Sequence, residues 1–221
     1  MGPSVLLRFS AGLLLLSQLS DFVEAKRWET YKSLWPGAVI PYQTSKSVQF
    51  TDSKGELQGA MDEIHSNTCI RFVPRTNEED FVQISAGLDC HTPIGKKGKE
   101  QVLVVQIPFC LERRKLLRQL LRVLGLPNEQ SRPDRDQYIT INLSNVAVLD
   151  APIFAKLNAT ELDLPLDDLP YDYNSIMHAD AEYKALNNTI PTIIPLENGV
   201  TVGKATGLSS VDIMKLNLLY C

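Results

Sequence analysis

Histidine is scarce in this chain: three of 221 residues, His65, His91 and His178. They are scattered, and none pairs at the i, i+4 spacing by which one helix face offers two imidazoles to a metal. Charge of one sign is scarce as well. The net charge of −4 is too small to imply a nucleic-acid partner. No glycine-rich phosphate loop or dinucleotide fingerprint occurs, and the serines, histidines and aspartates form no recognised hydrolase motif. Beyond the N-terminus no apolar run approaches a membrane span. Repeats, low-complexity tracts and long linkers are missing too. What remains is an ordinary globular composition, 44% hydrophobic and 22% charged, of a length that suits one domain or two lobes around one cleft.

The first residues differ from the rest. Arg8 precedes the run Leu13-Leu14-Leu15-Leu16, and small residues lead to Val23-Glu24-Ala25. A small residue three before and one before a cut is the pattern signal peptidase reads. Residues 1–25 are therefore expected to be a signal peptide, leaving a mature chain of 221 − 25 = 196 residues with no membrane span. Secretion suits the four cysteines, Cys69, Cys90, Cys110 and Cys221. An even count in an oxidising compartment suggests two disulfides, for which three pairings exist and spacing alone does not choose. Three glycosylation sequons, at Asn142, Asn158 and Asn187, agree with the same compartment.

Periodicity divides the mature chain. Val39–Tyr42, Cys69–Val73, Phe81–Ile84 and Gln101–Ile107 read as strands, and Glu56–Asn67 as a helix with Leu57, Ala60, Met61 and Ile64 on one face. Leucines at 116, 117, 120, 121 and 124 mark an amphipathic helix, with Gly125 and Pro127 ending it. Tyr138–Ile141 alternates like a strand, and Pro152–Leu157 and Ser210–Leu219 are further helical candidates. Strands and helices come first and looser structure second, an α+β layout in two lobes.

Four segments carry a family resemblance. Thr68-Cys69-Ile70-Arg71-Phe72-Val73-Pro74-Arg75-Thr76, Glu129 to Asp136, Tyr171-Asp172-Tyr173-Asn174-Ser175-Ile176-Met177-His178 and the tail from Gly207 to Cys221 stand in that order. They resemble, in turn, the first cysteine segment, the stretch after the zinc motif, the methionine turn and the C-terminal helix of the astacin metallopeptidases. The resemblance runs from about Trp35 to Cys221. It implies one domain over residues 26–221, with an N-terminal lobe (about 28–128) of twisted sheet and two long helices. An irregular C-terminal lobe (about 129–221) with a C-terminal helix follows across a deep cleft. It also implies the pairings Cys69–Cys221 and Cys90–Cys110, and a methionine turn at Met177.

Astacins hold zinc with His-Glu-x-x-His-x-x-Gly-x-x-His, the glutamate acting as general base for the zinc-bound water. With Gly125 in the glycine position, the ligand positions fall on Arg118, Arg122 and Asn128, the base on Gln119, and the tyrosine after the methionine turn on Ala179. A guanidinium has no lone pair for a metal, and a glutamine takes no proton. Metal, cofactor and catalytic residues are accordingly expected to be none. No room is left for the family's zinc-blocking propeptide between residue 25 and the domain. Glu129, which in the family anchors the mature N-terminus, is retained; here Lys26-Arg27-Trp28 would begin the mature chain.

These departures lead to the expectation of a secreted protein that is not an enzyme and binds a protein or peptide through the former active-site cleft. The alternative is a metalloendopeptidase with residual or unorthodox zinc-dependent activity, and a third reading is a degenerate product without a role. Arg114, Arg118 and Arg122 stand at i, i+4 and i+8 and form a basic stripe. Either the stripe is a solvated face, or it lines the cleft and receives an acidic peptide or an extracellular protein partner, or Asp180 neutralises it internally.

Overall fold

The structure, a computed structural model, describes residues 33–158 and 169–221. The expected signal peptide and the start at Lys26 lie outside the described residues. The N-terminal lobe is built on a four-stranded, all-parallel sheet of β1 (Val39–Thr44), β2 (Arg71–Pro74), β3 (Phe81–Gly87) and β4 (Glu100–Gln106), in the order β2-β1-β3-β4. Ile40, Val82, Ile84, Leu103 and Val105 from these strands are buried in the main core. Parallel neighbours need crossovers, and β1 reaches β2 through α1 (Lys46–Thr51) and α2 (Glu56–Asn67).

The helices form for local reasons. Asp52 caps α2 by accepting the backbone N–H groups of Glu56 (2.8 Å) and Leu57 (3.0 Å), and Leu57, Ala60, Met61 and Ile64 bury one face. α3 (Arg113–Val123) buries Leu116, Leu117, Leu120 and Leu121 against the same core. Each such leucine is worth about 1.5–3 kcal/mol of transfer free energy. Gly125 ends the helix in the left-handed region, φ 98°. Its N–H donates to the Arg122 carbonyl and that of Leu126 to Leu121, so two orphan carbonyls are satisfied. The next two carbonyls are capped from afar, Val123 by the Trp35 indole (2.9 Å) and Leu124 by the Tyr220 hydroxyl (2.8 Å).

The C-terminal lobe has a smaller core of Ile139, Val146, Phe154, Ala179, Ile193 and Val202 beneath short 3-10 turns. Among the described residues its sheet pairs β5 (Ile139–Ile141) antiparallel with β6 (Ile193–Pro195). The helix expected over 152–157 shortens to a 3-10 turn at Ala151–Phe154, because Ala155 turns extended. α4 (Ser210–Tyr220) returns to the first lobe and buries Leu216, Leu219 and Tyr220 there. Both implied disulfides form: Cys69–Cys221, with Cα atoms 5.8 Å apart, and Cys90–Cys110, at 6.3 Å. Among the described residues no helix is long and apolar enough to cross a membrane.

The glycine at the end of α3 makes a direct test. Alanine does not adopt φ 98° without strain, so Gly125→Ala should cost about 1 kcal/mol or more, read as a lower denaturation midpoint at unchanged m.

Candidate functional site

The two lobes meet along α3. The segment that follows the helix, from Asn128 onward, holds a buried charge cluster. Glu129, Arg132 and Lys215 are 3%, 2% and 2% exposed. One oxygen of Glu129, Oε1, accepts from Lys215 Nζ (2.7 Å), from the Asp172 backbone N–H (2.9 Å) and from Arg132 Nη1 (3.5 Å). Burial pushes the Glu129 carboxyl above its usual range, while Lys215, Arg132 and the Asp172 amide pull against that rise. Arg132 also forks onto Asp134 (2.9 and 2.8 Å) and donates to the Leu169 carbonyl (2.6 Å).

The turn around Met177 is held by the N-terminus of α4. Ser209 and Asp212 form a reciprocal capping box, and the fully buried Asp212 additionally accepts from Ser175 Oγ (2.6 Å) and the Ile176 N–H (2.9 Å). Met177 is 1% exposed, and its carbonyl accepts from the Glu129 N–H (3.3 Å). His178 is buried between the Tyr171 hydroxyl at Nε2 (2.8 Å) and the Ala179 carbonyl at Nδ1 (2.9 Å). A carbonyl only accepts, so Nδ1 carries the proton and Nε2 receives the tyrosine's. Burial lowers the His178 pKa to about 4, with Arg118 adding to the effect.

α3 presents Arg114, Arg118 and Arg122 between the lobes. Arg114 Nη2 donates to Asp180 Oδ1 (2.9 Å) and to the Gly203 carbonyl. A Cβ on Gly203 would sit 2.3 Å from the Asp180 Cα, so only glycine lets that carbonyl come so near. Arg118 Nη1 donates to the His178 carbonyl (2.9 Å), and Arg122 Nε to the Thr92 carbonyl (3.4 Å). The row is therefore neither a solvated face nor wholly neutralised: Asp180 answers Arg114, while Arg118 and Arg122 meet carbonyls. Burial lowers the pKa of both, Arg114 and Arg122 adding to the effect on Arg118. Gln119 donates to the Cys90 carbonyl (3.4 Å), and Asn128 begins the 3-10 turn Glu129–Ser131.

These residues do not fit a zinc ion. Two guanidiniums that remain cationic at neutral pH stand at the positions where the family resemblance implies ligands. Among the described residues no group of three His, Cys, Asp or Glu side chains is placed to hold a metal. No hydrolytic step through a metal follows from Arg118, Gln119, Arg122 and Asn128 as they stand.

Two outcomes follow from the buried groups. Lys215→Met removes the shortest contact of the buried Glu129 charge, leaving only Arg132 at 3.5 Å as a cationic partner, and should cost about 3–5 kcal/mol by chemical denaturation, whereas the double variant with Glu129→Gln should recover much of that loss. His178 is neutral in the fold down to pH of about 4 but protonates near 6.5 in the unfolded chain. The unfolded state thus binds more protons between those values, so stability should fall as pH drops from 6.5 to about 4, by roughly 3 kcal/mol in all. In His178→Gln that part of the pH dependence should vanish from a stability-versus-pH series.

Comparison with known proteins matches residues 27–221 to the family model described as Astacin, a peptidase family. The chain is 36% identical over 186 residues to High choriolytic enzyme 1 of Oryzias latipes, covering 82% of this chain and 66% of that protein. It is 32% identical over 193 residues to Zinc metalloproteinase nas-14 of Caenorhabditis elegans, covering 85% of this chain and 37% of that one. It therefore spans about two thirds or less of the length of these relatives. Among solved structures it is similar to High choriolytic enzyme 1, a hatching enzyme zinc-protease from Oryzias latipes, with a TM-score of 0.78 at 32% identity over 87% of this chain and 94% of that one. Myroilysin, at 16% identity and a TM-score of 0.60, shares the fold.

These findings correct one expectation. The replaced ligand positions had pointed to a protein that is not an enzyme, but relatives 32–36% identical are named as proteases, and that expectation is overturned. The inference had treated one site as decisive for the whole chain, while the similarity extends over nearly all of it. By its sequence from residue 27 to 221 and by its fold, the chain belongs to the astacin family of metallopeptidases.

Proposed function

We propose that this chain is a secreted, peptide-directed protein of the astacin family, and that peptide segments engage it between the lobes, along α3. The observation that carries the reading is the similarity to named proteases over 82–85% of the chain. Those names favour metalloendopeptidase activity, of an unorthodox kind, because Arg118, Gln119, Arg122 and Asn128 do not supply the family's zinc chemistry. Two disulfides support an extracellular setting. Carbohydrate at the exposed Asn158 and Asn187 belongs to the same reading, with Asn142 half-buried.

The test is a cleavage and retention assay on the purified secreted protein. A mixed peptide library is incubated with added zinc, or with a chelator, and new termini and retained peptides are read by mass spectrometry. New termini that the chelator suppresses are the expected result. Retention without new termini would remove hydrolysis and leave peptide engagement. Neither cleavage nor retention of any peptide would overturn the reading as a whole.

A further inference from the structure

We propose that Arg118 and Arg122 form a binding site for a carboxylate carried by a peptide. The inference rests on the peptide-directed reading above and names the chemistry of the segment that binds.

The two side chains project from one face of α3, four residues apart, and each is tied down by a carbonyl of a different lobe. Arg118 Nη1 holds the His178 carbonyl, and Arg122 Nε holds that of Thr92. A guanidinium carries five N–H donors, so each keeps most of its donors for something else. Their orientation is fixed from behind while charge and donors remain available.

Electrostatics supplies the second argument. Among the described residues no carboxylate lies within ion-pair distance of either group; Asp180, the nearby acid, is bonded to Arg114 instead. Tyr183 neighbours both arginines and offers a hydroxyl, not a carboxylate. His178 is neutral at neutral pH and adds no charge of either sign. Two half-buried cations one helical turn apart, with Asp180 acting on Arg118 only beyond ion-pair distance, gain when an anion joins them. The pair is complementary to a carboxylate, which guanidiniums grip through paired N–H···O bonds.

An unmet polar atom lies beside the pair. Thr92, 3% exposed, has a buried hydroxyl without a hydrogen-bond partner, next to the carbonyl that holds Arg122. At the Arg114 end of the row lies an open hollow of about 530 Å³ that neither Arg118 nor Arg122 lines; Asp180 and Glu182 border it together with Lys184 and Lys204, and Tyr183, which neighbours both arginines, connects it to them.

The carboxylate could belong to an acidic side chain or to a peptide C-terminus, and the experiment separates the two. Fluorescence anisotropy is run on three labelled peptides of equal length. One has internal Asp and Glu with an amidated end, one is neutral with a free C-terminus, and one is neutral and amidated. Mass spectrometry confirms that each stays intact during the reading. The expected result is that at least one carboxylate-bearing peptide binds about tenfold or more tightly than the neutral amide, with affinity falling as salt rises. Arg118→Gln with Arg122→Gln should abolish that preference, while Lys54→Gln on the exposed surface leaves it intact. If the double variant does not fold, Arg122→Gln alone and the wild-type peptide comparison still decide. Equal binding of all three peptides would overturn the carboxylate site and leave peptide engagement standing. Binding of none would overturn both.

Discussion

The Glu129 carboxylate is the point on which the arrangement of the two lobes depends. It sits where the chain leaves α3, and the groups that satisfy it come from three other places: Lys215 on α4, Arg132 three residues on, and the backbone of Asp172 before the methionine turn. A buried carboxylate tolerates no missing partner, so each of these segments has essentially one position relative to the others. The capping box of α4 then passes the constraint on, because Asp212 closes the helix and grips Ser175 and Ile176 together. The irregular lobe has few regular hydrogen bonds of its own, and it is located by this polar frame more than by its small core.

That frame also explains why the row of arginines on α3 is held so firmly. Arg118 reaches the His178 carbonyl, which lies one residue beyond Met177 and is positioned by the same turn. Arg114 reaches Asp180 and Gly203 on the same lobe, and Arg122 reaches back to Thr92. The helix thus contributes its leucines to one core and its arginines to the seam between lobes. One 11-residue element divides its surface between apolar packing and cross-lobe hydrogen bonding.

Much of this layout was legible in the amino-acid order. The Glu56–Asn67 helix is bounded as its apolar spacing suggests, and the leucine run of α3 with its closing glycine is equally plain. The two disulfides followed from family resemblance and not from spacing. Other features had no local signal. A period of two marks a strand without naming its neighbours, so the position of β1 between β2 and β3 was hidden. The short α1 buries Val48 alone and depends on a cap from Ser45, too little for periodicity to register. Lys215 looked like any helix lysine, since its carboxylate partner lies 86 residues away. The fate of the arginines was equally open, because whether a stripe meets water, Asp180 or carbonyls is decided by elements far along the chain. The replaced ligand positions were readable one by one, but the step from them to the activity of the whole protein was not.

The Cys69–Cys221 bridge makes residues 69 to 221 a covalent ring. The ring encloses β3, β4, α3, the methionine turn and α4, hence every group assigned above to the seam. In a ring, one backbone cut opens the circle without producing two molecules. A protease that nicks a surface turn of this domain would leave both new ends tethered, and the pieces would stay at the concentration of a single chain. Damage of that kind is reversible in space if not in chemistry: the nicked protein can keep its shape, and only a second cut or reduction of the bridge lets a fragment leave.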